Sequence, residues 1–600
     1  MIMIGKFIDY FQNELVYLKR QGRAFARQYP NVARRLGMTG EQPDDPHVER
    51  IIESFAFLTA GIHQRLDEDL PEVAQQLLSV VAPWFLRTYP PVCIVQFEPD
   101  PDSSGMSGAY DIPGGTVLTR SAARQEARCR FTTLSSLTLL PLCVTQAGLT
   151  LLGTQQYQLT LSLLFWGTAL SGGKTLRFYL HGGAVLVDRV YALLCAGLSS
   201  VSVVTDSREY GLSLSSVRPA PFSGRALSSS VAQDCPENAV IQDYFHFRET
   251  FYFIDICLPD AFLPAQGERF QITMLFRPGF YASQMQNVAH LVVADFFRLN
   301  CIPAMNLYPA VSEPLSVSAE AQEYPVIPDT RNSSQAEVWS VNGVTLLKEC
   351  EDRMIKISLP HLYRDGRDIQ SGTIYWQERF RREPDTGQPQ RRERCGIALS
   401  EVGPGEGLAP GDVISIQMMC TDGDLPSSLV TGGADGDFEA ELPFAGVRLR
   451  ALTVPTRPVR PALSVDAMWQ LISTLSLNYM LLSRRDAVAV LKKSILLHNV
   501  NDDTEVAHLV SLIQDVSVQG VYERLIKHDP CSCARGVEVV VTFYSQAREA
   551  PGLFLFCRVV ACFLGGKVPV NSFARVITRV DGSDELSVTW PVQTGRLVWL

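Results

Sequence analysis

A multidomain α+β fold is predicted from three features of the chain. Its first 90 residues carry apolar side chains at three- and four-residue spacing, and residues 90–460 break into short β-type runs separated by Gly, Pro, Ser and Asp. Helical periodicity then returns near Ala462, ahead of a final strand pattern. Helices and strands that keep to separate blocks indicate α+β and not a βαβ array. The expected domains are an N-terminal helical segment (1–90), a first β-rich domain (91–300), a second with exposed loops (301–460), and a mixed α/β C-terminal domain (461–600). A chain of 600 residues is longer than one core serves, so several domains are needed.

Phe7, Phe11, Leu15, Leu18, Gly22 and Phe25 share one face of a first helix, which Pro30 closes. Lys19, Arg20, Arg23 and Arg27 lie in its later turns, where cations complement the negative end of the helix dipole. A second helix has a start signal. Asp45 suits the N-cap, Pro46 the first helical position, and Glu49 the positive first turn. Val48, Ile51, Ile52, Phe55, Leu58, Ile62 and Leu66 form its broad apolar stripe. A third helix is expected from Pro71, after Asp67-Glu68-Asp69, carrying Val73, Leu77, Leu78 and Val81 as far as Pro83. Stripes this wide must be covered by each other, by a sheet, or by a partner's helices.

Further on, residues 92–97, 157–165, 176–180 and 251–258 read as strands, and one short helix is expected over 288–298. Residues 467–482 and 487–497 read as helices, 537–543 and 553–557 as strands. Two segments look like exposed loops: 421–436, rich in Gly, Asp and Ser, and 379–394, charged around a Pro-Asp-Thr-Gly turn. No internal repeat is visible.

The composition, 46% apolar and 19% charged, is that of a globular protein. A net charge of −10 gives no counterion-release advantage on nucleic acid or anionic membranes, so proteins are the expected partners. Lys6 and Asp9 interrupt the apolar N-terminus, which therefore lacks the core of an export signal. The apolar runs at 184–198 and 552–565 are short and carry Asp188, Arg189 and Arg558, so no membrane insertion is expected. A cytoplasmic location follows, with most of the 14 cysteines reduced and buried.

Each motif that invites chemistry fails on spacing or context. Gly167 to Thr175 ends in Gly-Lys-Thr like a phosphate loop, but Thr168 stands where glycine is required and the following residues read as a strand. Ser171-Gly172-Gly173-Lys174 is better explained as a hairpin turn. His528, Cys531 and Cys533 lack a paired Cys-x-x-Cys knuckle, so no metal is assigned. His47-Val48-Glu49 has no Cys-x-x-Cys after it, and both residues read as exposed first-turn side chains. Arginines 379, 381, 382, 391, 392 and 394 are diluted by Glu378, Glu383, Asp385 and Glu393, the pattern of a solvated hairpin tip and not of a nucleic-acid site. No catalytic residue and no cofactor is nominated.

Several stretches resemble a known family in order along the whole chain. Tyr10-Phe11-Gln12-Asn13-Glu14-Leu15-Val16-Tyr17-Leu18, Phe25 to Pro30, Asp45 to Ala60 (Asp-Pro-His-Val-Glu-Arg-Ile-Ile-Glu-Ser-Phe-Ala-Phe-Leu-Thr-Ala) and Leu66 to Pro71 are similar to the N-terminal signature of TssF, a type VI secretion baseplate family. Asn300 to Leu307 with Glu313-Pro314-Leu315, Val338 to Val341, Leu475 to Tyr479, Val570 to Phe573 and Trp590-Pro591 continue the resemblance. Trp84 replaces the family's usual histidine, Pro90-Pro91 its usual Pro-Ser, and 421–436 reads as an individual insertion.

The resemblance implies a structural wedge subunit similar to contractile phage baseplate wedge proteins. Two TssF copies would pair with one TssG, TssE and TssK would attach, and six wedges would surround the VgrG hub. That platform would support the Hcp tube and sheath and dock on the membrane complex. It further implies that residues 6–82 supply helices to a shared bundle, with Phe7, Phe11, Leu15, Leu18, Ile51, Phe55, Leu58 and Ile62 as the candidate interface. A helical subdomain private to this chain explains the same stripes. A β-rich hydrolase acting on polysaccharide, or a carbohydrate-binding protein, is the rival function; the first requires a cleft with converging polar groups, which no motif announces.

Overall fold

The computed structural model describes residues 11–12, 14–15, 17–18 and 46–82 and most of 85–595; the longest segments left out within that last span are 121–128, 222–235, 363–372, 383–392, 476–485 and 525–532. Phe7, Gly22, Phe25, Asp45, His528 and Cys531 lie outside the described residues, as does the side chain of Ile62. The chain divides into two units, Met1–Leu86 with Leu463–Ser473, and Arg87–Ala462 with Thr474–Leu600.

In the first unit, Pro46–Val81 is one helix of 36 residues, where two were expected. Its described part begins at Pro46, and the N-cap expected at Asp45 lies outside the described residues. Pro71 removes one rung from its hydrogen-bond ladder, but the Leu, Glu, Gln and Ala residues around it are strong helix formers that carry the helix across. Phe11, Leu15 and Leu18 have helical backbone and are half-buried. The helix Val465–Leu475 buries Met468 and Leu471.

Among the described residues the second unit contains three cores. A closed barrel runs in the order Val92–Pro99, Cys301–Met305, Arg130–Thr133, Val117–Arg120, Phe438–Glu439, Val447–Ala451. Alternate residues (Val95 and Phe97 on the first strand, Ile302 and Ala304 on the second) fill its interior with Phe131, Phe438 and Leu449. Beside it is a sandwich. One sheet contains Glu337–Cys350 and Val413–Thr421, the other the hairpin Thr373–Arg382 with Glu393–Val402. Val344, Leu346, Ile414 and Ile416 of one sheet share a core with Ile374, Trp376 and Ile397 of the other. The hairpin pairs out to Arg382 opposite Glu393, as expected for the charged 379–394 segment, whose tip is not among the described residues.

The largest core joins three sheets. Gln156–Phe165 alternates without exception, burying Tyr157, Leu159, Leu161, Leu163 and Phe165. Its Leu161 lies opposite Ile272 of Arg269–Phe276, which in turn lies opposite Val203 of Leu198–Thr205. A four-stranded sheet containing Thr175–Leu180 and Phe253–Cys257 contributes a second layer. The third sheet is C-terminal, with Cys533–Phe543 parallel to Phe573–Val580 and the helix Leu553–Gly566 between them in sequence. Gly536 is required there, because a Cβ would lie 2.3 Å from the Phe573 ring.

Several expected elements differ. Residues 553–557 begin a helix and not a strand: a short apolar run fits both, and here buried residues go most of the way round the helix, from Leu555, Val559 and Phe563 through Phe556 and Val560 to Leu564, Cys557 and Ala561, with Arg558 as the one charged side chain. The helices Ala184–Ala196 and Pro236–His246 also stand within the region expected to be β-rich. The helix expected over 288–298 is two short 3₁₀ turns, Ala289–Leu291 and Ala294–Phe296, followed by the strand Phe297–Arg298. Ser171 to Lys174, expected as a hairpin turn, lie outside the described residues; the strands Gln156–Phe165 and Thr175–Leu180 on either side belong to different sheets. Residues 421–436 are not an exposed loop. Thr421, Asp422, Pro426 and Leu429 are buried, and Leu429 is part of the barrel core.

Candidate assembly surface

The Pro46–Val81 helix has two apolar faces of different character. Ala56, Ala60, Ala74, Leu78 and Ala82 are buried. Ile51, Phe55 and Leu58 are 65%, 61% and 65% exposed, and Val73 and Leu77 are exposed with them. At about 100° per residue, Ile51, Phe55, Leu58, Ile62, Val73 and Leu77 fall within about 100° of arc, opposite the alanine face. The small residues are therefore covered, and Ile51, Phe55, Leu58, Val73 and Leu77 face out. Along the side of the helix, Phe57 meets the Phe11 ring edge-on at 6.5 Å, which ties the first helical residues to the long helix.

Of the eight sequence-predicted residues, Ile51, Phe55 and Leu58 lie together on this outward face. Phe11, Leu15 and Leu18 are half-buried. Phe57, Val73 and Leu77 were missed as surface residues. Reading 46–81 as one helix would have found the last two, since they continue the same arc after Pro71.

Of the motifs tested for chemistry, residues 169–174, 391–392, 528 and 531 lie outside the described residues, and His47 is exposed. The threonine of Gly-Lys-Thr begins the strand Thr175–Leu180, where a phosphate loop would lead into a helix. Cys533 begins a strand. Among the described residues no helix is long and apolar enough to cross a membrane, and no cluster of His, Cys, Asp and Glu could hold a metal.

The buried titrating groups act as staples. Tyr89 donates to Asp243 Oδ1 at 2.8 Å and stacks on His246 at 4.1 Å. Burial, and then the nearby His498, hold His246 down to about 3, so it is a neutral ring at physiological pH. Arg87 pairs with Glu378 at 2.8 Å and lies over the Trp339 ring at 5.0 Å, while Glu378 also accepts from Val341 N–H at 3.3 Å.

A polar hub joins the barrel to the sandwich. Asp422 accepts from Asn306 Nδ2 at 2.7 Å, Tyr308 O–H at 2.8 Å and Arg130 N–H at 3.2 Å. Asn306 Oδ1 in turn accepts from Thr421 O–H and Asp422 N–H, each at 2.7 Å. The residues of the segment read as an individual insertion are thus wired into the fold.

Comparison with known proteins agrees with the sequence resemblance. The family model for "Type VI secretion system, TssF" matches residues 3–597. The type VI secretion system component TssF1 of Pseudomonas aeruginosa (strain PAO1) is 27% identical, over 99% of this chain and 99% of that protein. The fold is similar to a chain of the TssK-TssF-TssG baseplate subcomplex solved by cryo-electron microscopy, with a TM-score of 0.69 at 21% identity, covering 92% of this chain and 99% of that one. A chain of the type VI baseplate complex matches with a TM-score of 0.59, also at 21% identity, over 98% of this chain and 99% of that one. With the match running from the first residues almost to the last, the chain belongs to the TssF family of type VI secretion system baseplate components.

Proposed function

We propose that this chain is a non-catalytic wedge subunit that holds its partners through the outward apolar face of the Pro46–Val81 helix. In this reading two copies assemble with one TssG in a shared helical bundle, as in contractile phage wedges, and TssK and TssE attach to it. Wedges surround the VgrG hub, support the Hcp tube and sheath, and dock on the membrane complex at the cytoplasmic side of the inner membrane.

The observation that carries the proposal is the exposure of Ile51, Phe55 and Leu58 on one face. Each is worth about 1.5–3 kcal/mol when fully buried, and a solvent-facing row of them is a surface that gains by being covered. The similar chain solved together with TssK and TssG makes TssG the first partner to test. Phe11, Leu15 and Leu18, half-buried, would form the rim of the same surface.

The test replaces Phe55 and Leu58 together with Glu, co-expresses the variant with TssG, and measures complex formation by gel filtration. Because both side chains are largely exposed, each change should cost the fold within about 0.5 kcal/mol. Binding should fall by about 2–4 kcal/mol, as for truncated hot spots, and the complex should be lost. An unfolded variant would assign the face to the chain's own core, and an intact complex would put TssG elsewhere.

A further inference from the structure

A concave pocket in the second unit lies between the helix Ala184–Ala196, residues 280–284, residues 548–554 and the C-terminal sheet. Its apolar lining includes Phe280, Tyr281, Phe554 and Trp590. These rings are fixed by one another. Phe554 lies 6.0 Å from Tyr281 and 5.3 Å from Trp590, whose indole N–H donates to Thr578 Oγ1 at 2.9 Å. The aromatic wall is therefore formed before any ligand arrives.

Three guanidinium groups line the same pocket, from Arg189, Arg548 and Arg579. Each is held by one contact. Arg189 Nη1 donates to the Gln284 carbonyl at 3.3 Å, Arg548 lies over the Phe280 ring at 4.9 Å, and Arg579 Nε donates to Thr542 Oγ1 at 3.0 Å. A guanidinium has five N–H donors, so each retains several for another acceptor. Two carboxylates, Asp188 and Glu549, oppose them on the lining. Asp188 accepts from Tyr252 O–H at 2.6 Å, and Glu549 is exposed to solvent. One net positive charge remains.

The cavity volume is about 80 Å³. Enclosing a benzene ring takes about 150 Å³, so a single ring would be covered on one side with its arm left at the open mouth, and a nucleotide would not fit. We infer that this pocket binds a carboxylate carried on a flat apolar body, with the ring against Phe554 and Trp590 and the carboxylate at Arg548 and Arg579. The chemistry is the same whether a free aromatic acid or an acidic, aromatic peptide segment supplies it.

The test is ligand-observed NMR on the full chain with hydrocinnamate, its neutral amide hydrocinnamide, and the dipeptide N-acetyl-aspartyl-phenylalanine amide. Hydrocinnamate should bind saturably, at least about fivefold more tightly than the amide, because charge-assisted contacts to arginine are the stronger ones. The R548A/R579A variant, altered only at exposed side chains, should melt as the parent does and bind hydrocinnamate at least about fivefold more weakly. A dipeptide binding about tenfold tighter than hydrocinnamate would make a peptide the source, and a weaker one would make it a free acid. Equal binding of acid and amide, unchanged binding by the variant, or no saturable binding of hydrocinnamate or the dipeptide would each overturn the assignment.

Discussion

Replacing Asp422 with Ala should loosen the junction between barrel and sandwich by about 4 kcal/mol. The substitution removes the acceptor for three donors, Asn306 Nδ2, Tyr308 O–H and Arg130 N–H. Asn306 Nδ2 keeps a second acceptor, the Arg130 carbonyl at 2.8 Å, so two donors lose their partner. With Asp422 only 1% exposed and Asn306 fully buried, water is poorly placed to replace it. Each orphaned buried group costs about 1–3 kcal/mol, which gives about 2–6 in total. Asp422→Asn should cost only about 1 kcal/mol, because its oxygen can face Asn306 and Arg130 while its amide donates to the Tyr308 oxygen. Adding Tyr308→Phe to Asp422→Ala should recover about 1 kcal/mol, since the stranded hydroxyl is then gone. In a chain of two units a single unfolding energy is ill-defined. Native-state hydrogen exchange on Cys301–Met305 and Val413–Thr421 reads the local opening energy instead. A loss below about 1 kcal/mol for Asp422→Ala, or a double variant worse than the single, would refute the hub as a cause of cohesion.

Burial holds the imidazole of His498 down to about 4, from 6.5, and its ring is 5% exposed. The folded-state value lies below the unfolded one, so its contribution is complete above pH 6.5 and is lost as pH falls toward 4, up to about 3 kcal/mol. A His498→Gln variant should flatten that part of the melting-temperature profile; an unchanged acid limb would disprove it. Removing Glu378 as Ala leaves Arg87 buried without its carboxylate and should cost about 3–5 kcal/mol, while replacing both with Met should cost much less. Thermal melts of the two variants decide it, and equal losses would show that the charges are not the cause.

What could be read from the sequence depended on whether a residue's role repeats at a fixed spacing. Gln156–Phe165 alternates and Ala487–Leu496 shows helical spacing, and both elements stand where the pattern puts them. Leu553–Gly566 was misread because a helix buried most of the way round has little polar face to betray its period. The outward surface was half legible. Spacing gathers Ile51, Phe55 and Leu58 onto one face, but it does not say that Ala56 and Ala60 would take the packed side. The hub at Asp422 left no local signal, since Arg130, Asn306 and Asp422 meet only through the tertiary fold. The Gly- and Asp-rich composition of 421–436 suggested solvent because those residues favour turns, and here the turns are buried and hydrogen-bonded.

In the largest core, Tyr191 and Tyr244 are covered by a helix from near the other end of the chain. Phe554 lies 6.1 Å from Tyr191, and Phe556 6.0 Å from Tyr244. The helix Pro236–His246 leaves the ribosome about 300 residues before Leu553–Gly566 does. At about 5–20 residues per second, its aromatic side waits about 15–60 s for its cover. Non-local closure of this kind also slows folding after release. The nascent chain therefore displays an aromatic surface for many seconds, and the faster the intervening residues are made, the shorter that exposure is.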